Sequence, residues 1–204
     1  RARVNVSAVL LPDSTIFVCG GLQAAPYPSW IYDPNAVVNA WREMDEMNRP
    51  RHYHACALLL PSGKVMMAGG ASPGGCSLSV ENSIEVFSPP YLFNADGTAA
   101  ARPVISQVNG KTPTSTHAPQ FHHGDTFTVE TSQADSIAKV VLIRPMAVTH
   151  QTDSEQRIVH MTFYQSGPTE LTATAPDGGH PHAIAPRGHY MLFILNGDGV
   201  PSEA

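Results

Sequence analysis

No stretch of this sequence can span a bilayer: its apolar runs, such as Met191 to Leu195, fall far short of the roughly 20 residues that a spanning helix needs. Basic charge is also scarce. Twelve Lys and Arg stand against 17 Asp and Glu, giving a net charge of −5 and a pI near 6.0. The cations are scattered, so there is no stripe to follow nucleic-acid phosphates and no patch for an anionic membrane. Cysteine is rare and odd in number. Cys19, Cys56 and Cys76 show no C-x-x-C spacing, which excludes a disulfide framework and a cysteine zinc site. Cys19 and Cys56 lie in apolar strands and read as packing residues. Helical periodicity is nearly absent, with a weak hint only over 40–47. A signal peptide is missing too: the chain opens at Arg1, already inside a repeat unit, and reads as part of something longer.

What is present is an ordinary folded composition, 42% hydrophobic and 14% charged, with length for one large or two modest domains. An internal repeat organises the first half. Aligning Leu10-Leu11-Pro12 with Leu59-Leu60-Pro61, an offset of 49, matches Ser7–Gly21 to Cys56–Gly70 without a gap, each segment ending in Gly-Gly. Short strands are expected at Val4–Leu11, Thr15–Cys19 and around Trp30–Tyr32, and again at Ala55–Leu60, Lys64–Ala68 and Ile84–Phe87. Trp41 falls on or near a fourth strand of the first unit, and the second unit carries about six extra residues around 74–82. A β repeat of this length, with paired glycines and an aromatic in the third strand, points to propeller blades. Two blades alone leave apolar faces open, so the rest of the ring is expected elsewhere.

After 97 the pattern changes. Strands are expected at Pro103–Val108, Phe127–Glu130, Ile137–Arg144, Arg157–Phe163, Glu170–Ala175 and Tyr190–Leu195, separated by Gly, Pro, Asn and Asp clusters. That pattern fits an immunoglobulin-type β-sandwich. Val140–Ile143 and Met191–Leu195 are unbroken apolar runs, suited to strands buried on both faces.

Ten histidines invite a metal hypothesis. His122-His123 and His180-Pro181-His182 lie in turn-rich loops, His117 lies in a polar loop, and His160 and His189 read as surface or hydrogen-bonded positions. Tyr53-His54 stands apart because the repeat places Val4-Asn5 at the same point, so the scaffold itself requires neither phenol nor imidazole. Phenolate with imidazole suits Cu(II) or Fe(III). Adjacent residues of a regular strand face opposite ways, so both reach one ion only where the strand begins or twists. Arg49-Pro50-Arg51 fits such a beginning. Asn5-Val6-Ser7 has the form of a glycosylation acceptor within an expected strand.

These residues resemble the galactose oxidase and glyoxal oxidase group of copper radical oxidases. Arg51-His52-Tyr53-His54 leading into Leu58-Leu59-Leu60-Pro61-Ser62-Gly63 is similar to the family's R-x-Y-H motif with its following strand and turn. Ser88-Pro89-Pro90-Tyr91-Leu92 is similar to the propeller exit. Leu142-Ile143-Arg144 through Thr149-His150, Asp153 and Gln156-Arg157 resembles a loop of the C-terminal domain, and Gly188–Phe193 with Asn196–Ser202 resembles the last hairpin.

The resemblance implies an all-β fold: the last two blades of a seven-bladed, kelch-like β-propeller over 1–97, then an immunoglobulin-like, early-set sandwich over 98–204. It implies one copper ion with Tyr53 as axial phenolate and His54 and His150 as equatorial ligands, the two histidines coming from the two domains. Tyr53 would be the catalytic base. In that chemistry a primary alcohol or aldehyde gives a proton to the axial tyrosinate and hydrogen to a cysteine-linked tyrosyl radical, and O2 is reduced to H2O2. No segment here matches the radical tyrosine, its cysteine or the stacking tryptophan, so the Tyr-Cys cofactor is expected outside this chain, with the remaining blades as partner. Gln23 and Tyr27 would lie near the mouth that receives a small alcohol, aldehyde or carbohydrate. A secreted or cell-wall setting is implied. The alternative is an extracellular structural or carbohydrate-binding module whose copper site is vestigial.

Overall fold

A computed structural model describes residues 3–21, 27–70, 80–114, 118–177 and 184–204. The regular structure in them is all strand apart from two single-turn 3-10 helices, Pro90–Leu92 and Ala134–Ser136. Two compact units result: Arg1–Pro89 together with Pro145–Arg157, and Pro90–Arg144 together with Ile158–Ala204.

In the first unit, β1 (Val6–Leu10), β2 (Ile16–Gly20), β3 (Pro28–Tyr32) and β4 (Trp41–Glu46) form one antiparallel sheet in chain order. A second sheet repeats that order with β5 (Cys56–Leu59), β6 (Val65–Ala68) and β7 (Ile84–Phe87). Alternate residues turn inward, Val9, Phe17 and Cys19 in one sheet and Ala57, Leu59, Val65 and Met67 in the other, as a period of two requires. Burial pushes the Cys19 thiol up to about 12, which suits an inert packing residue. Both first hairpins close the same way. Leu11 N–H donates to Thr15 O and Leu60 N–H to Lys64 O, with Ser14 and Gly63 at positive φ before the return strand. The weak helical pattern of 40–47 is strand over Trp41–Glu46, where Tyr32 and Trp41 form a cross-strand pair with rings 4.8 Å apart. Among the described residues β7 has no fourth strand beside it, and Ile84 and Val86 are exposed there.

The second unit is a two-sheet sandwich. Its strands are β8 (Gln107–Val108), β9 (Thr126–Glu130), β10 (Ile137–Ile143), β13 (Ile158–His160), β14 (Thr162–Gly167), β15 (Glu170–Thr174) and β16 (Met191–Asn196). One sheet has the order β13-β10-β16 and the other β14-β15-β9-β8. The single expected strand at 157–163 is two strands. The chain changes sheets at Met161, whose N–H still reaches Val140 O. Phe127, Val129, Val140, Leu142, Leu171 and Ile194 form the core between the sheets. Val141, Ile143, Phe193 and Leu195 are buried as well, so the apolar runs of β10 and β16 are covered on both faces. No helix among the described residues is long and apolar enough to cross a membrane, a statement that says nothing of β-barrels.

The paired glycines of the repeat are required by close backbone approach. A Cβ on Gly20 would stand 2.5 Å from Arg51 O, and one on Gly70 would stand 3.1 Å from His52 N. Gly20 and Gly70 also have φ of +70° and +115°, where other residues are strained. Gly20→Ala meets both penalties and is expected to lower stability by about 2–4 kcal/mol. A thermal melt of the variant that matches the parent would contradict this.

Candidate metal centre

Arg51 sets the entry to the site. Its side chain is 2% exposed, and its guanidinium donates to Gly69 O, Ser83 O and Ser83 Oγ while pairing with Glu85 at 3.4 Å. Its own carbonyl accepts from Gly21 N–H at 2.9 Å. In the first repeat Arg3 donates to Gly20 O and Pro28 O, the same role one residue out of the 49-residue register. Arg3 is two residues before Asn5, and Arg51 is three before His54. Asn5 and His54 both have positive φ, 60° and 64°. The repeat therefore holds a left-handed residue at this point, and the second unit inserts one extra residue ahead of it.

That geometry answers the question of opposite faces. Tyr53 and His54 lie in a turn before β5, and the left-handed His54 brings the two rings to a stacked 4.0 Å separation. His52, buried, is held at both ends. Its Nδ1–H donates to Gly21 O at 3.0 Å, and its carbonyl accepts from Ala55 N–H and from Gln151 Nε2.

His150 arrives on a small hairpin in the same compact unit. β11 (Val148–Thr149) and β12 (Thr152–Asp153) pair antiparallel, leaving His150-Gln151 as the two-residue tip. Both have positive φ, 53° and 60°, as a type I′ turn demands of its central residues, where Asn-Gly is the usual solution. Three hydrogen bonds to Asp153 Oδ1, from Ala147, Glu155 and Gln156 N–H, tie the hairpin base together. The Gln156 carboxamide donates to Ala8 O and accepts from Leu10 N–H, each at 2.9 Å. Gln151 Nε2 reaches His52 O at 2.6 Å.

The structure thus brings Tyr53, His54 and His150 together. The His54 and His150 ring centroids lie 4.6 Å apart at 85°, and those of Tyr53 and His150 lie 5.8 Å apart. Tyr53 is 36% exposed, and both histidines are open to solvent. Thr149 Oγ1 lies 2.8 Å from His150 Nδ1. With Nδ1–H donating, Nε2 keeps its lone pair free, the arrangement that metal-binding imidazoles share. No group of three His, Cys, Asp or Glu among the described residues could hold a metal. The donor set here is one phenol and two imidazoles, which fits a Cu(II)-type ion rather than Mg or Ca.

Among the described residues, the other sequence candidates fall outside this cluster. Tyr27 is half-buried and meets the His52 ring edge-on at 6.3 Å. Gln23 lies outside the described residues, as do Cys76, His117, His180 and His182. His122 bonds Asp125, whose carboxyl is held below its usual range first by the His122 backbone N–H. His123 Nε2–H donates to Ala185 O. His160 titrates below its usual value, because of burial and then the Lys139 charge. Sequence reasoning missed the anchoring roles of Gln151 and Gln156, although Gln156 belongs to the loop motif.

The chain is similar to known proteins over its whole length. A galactose oxidase of Gibberella zeae is 32% identical over 210 residues, spanning 100% of this chain and 29% of its own length. An aldehyde oxidase of Arabidopsis thaliana is 30% identical over 226 residues, spanning 98% of this chain and 35% of its own. The chain thus spans about a third of these relatives. Among solved structures, a fungal alcohol oxidase of the AA5 family in complex with copper matches with a TM-score of 0.84 and 28% identity, covering 100% of this chain and 41% of that one. The family model described as galactose oxidase-like, early set domain, matches residues 102–204, and the chain belongs to the galactose oxidase-like family.

Proposed function

We propose that this chain supplies the copper ligands of a copper radical oxidase that acts on a primary alcohol or aldehyde and releases H2O2. One observation carries the reading: Tyr53, His54 and His150 converge from two separate turns, and both histidines do so in left-handed backbone. Side chains seldom accept that conformation without a reason outside the local sequence, at a cost of about 1–3 kcal/mol each.

His54 and His150 would hold the copper through ring nitrogens and Tyr53 through its phenolate oxygen. When bound, copper supplies one-electron redox chemistry and Lewis acidity. Tyr53 is the base of the reading: its oxygen would accept the substrate hydroxyl proton, and the residue is exposed enough to meet one. Tyr27, against His52, and Gln23 are the proposed substrate contacts. The radical tyrosine and its cysteine would come from other parts of the protein; of the cysteines among the described residues, Cys19 is buried in β2 and Cys56 is half-buried in β5. The remaining propeller blades would also come from there, and the open edge of β7, with Ile84 and Val86 exposed, fits a further strand. The same reading places the protein outside the cell.

Copper loading followed by Cu(II) paramagnetic resonance tests the ligand set. One copper per chain is expected, with hyperfine structure from two nitrogens. His54→Ala and His150→Ala should each lose stoichiometric copper, and Tyr53→Phe should keep the nitrogens while losing peroxide release. Stoichiometric copper retained in both histidine variants would sink the assignment, and a parent that takes up no copper would favour a binding or structural module. His54→Asn copies Asn5 at the equivalent left-handed position. It is expected to abolish copper binding while raising metal-free stability by about 0.5–1 kcal/mol. A lower melting temperature in the metal-free variant would contradict the strain argument.

A further inference from the structure

We propose that Gln156 is a positioning residue for His150, its carboxamide standing in for a missing strand on the free edge of β1. The proposal rests on the metal centre proposed above and adds the device that places its third donor. Among the described residues β1 is the outer strand of its sheet, so the peptide groups of alternate residues on its far edge have no strand partner there. Ala8 O and Leu10 N lie on that edge, two residues apart. The Gln156 side chain satisfies both, donating from Nε2 and accepting at Oε1. A carboxamide has the same donor and acceptor pair as a peptide group. Two bonds to one planar group fix its direction as well as its place.

From there the restraint passes to the hairpin by short links. Gln156 N–H and Ala147 N–H both donate to Asp153 Oδ1, so the two sides of the hairpin base share one carboxylate. Asp153 lies in β12, directly paired with Val148, and His150 is at the tip two residues on. Gln151 fastens the other side of that tip to His52 O. His150-Gln151 is a poor sequence for a turn with two positive φ values. The tip has reason to relax once its outside contacts are removed, and relaxation moves His150 away from Tyr53 and His54.

Gln156→Ala and Gln156→Met, the second of which keeps the length and volume, test this in the protein at its natural length. Two readings are taken: Cu(II) affinity with its paramagnetic resonance spectrum, and hydrogen exchange of the copper-free protein over 145–157. Both variants are expected to weaken copper binding 10- to 100-fold, to lose hyperfine structure from one nitrogen, and to exchange faster over 145–157. Retained strand signal in circular dichroism separates this from global unfolding. Unchanged affinity and spectrum in both variants overturn the proposal, even where exchange is faster. If the parent binds no copper, the metal-centre reading fails on its own account. Exchange then decides whether Gln156 seats the hairpin, and unchanged rates over 145–157 overturn that too.

Discussion

The site depends on one buried cation. Arg51 sits almost without solvent and is tolerable there only because carbonyls, a hydroxyl and the Glu85 carboxylate receive its guanidinium. Those acceptors belong to the second meander, whereas its backbone carbonyl is taken by Gly21 of the first. One residue therefore ties the start of the Tyr53-His54 turn to both sheets. Breaking a buried pair of this kind typically costs about 3–5 kcal/mol, because the charge left behind has no water to solvate it. The glycine pairs follow from the same crossing. Gly20 and Gly70 leave room for the Arg51-His52 backbone, and any Cβ there would displace it.

On that frame the site is built from strained turns. His54, His150 and Gln151 all have positive φ, a conformation disfavoured for residues with a Cβ and least so for Asn among the non-glycines. The first repeat solves the same backbone problem with Asn5. The second keeps the strain, and the imidazole of His54 stacks on the ring of Tyr53. Hydrogen bonds from Gln151 and Gln156, and others accepted by the Asp153 carboxylate, hold the opposing turn in place. Local preference has been overridden at the positions that face one another, a pattern characteristic of functional sites.

Much of this is written in local chemistry that a reader of the sequence can see. Turn residues after Leu11 and Leu60, the Gly-Gly pairs and the period-two burial place the strands of the first 97 residues. The contrast of Tyr53-His54 with Val4-Asn5 marks the site. What escapes the sequence depends on long-range contact. A gapless register hides the extra residue after Arg51, because only the shared carbonyl of Gly20 and Gly69 shows Arg3 to be its equivalent. Positive φ at His150 and Gln151 has no local signal, since neither is Gly or Asn. The strand over 157–163 divides because Met161 changes sheets, which no alternation over so few residues reveals. Residues 145–157 lie between strands of the sandwich in the chain, yet their anchoring bonds run to Ala8, Leu10 and His52, and they cluster with the first unit.

The central claim is that Tyr53, His54 and His150 share one metal ion. Diffraction at the copper edge from copper-loaded crystals tests it most directly. The account predicts a single anomalous peak in bonding contact with the Tyr53 oxygen and one ring nitrogen from each histidine. A peak held by other residues, or none at this cluster after loading, would contradict it.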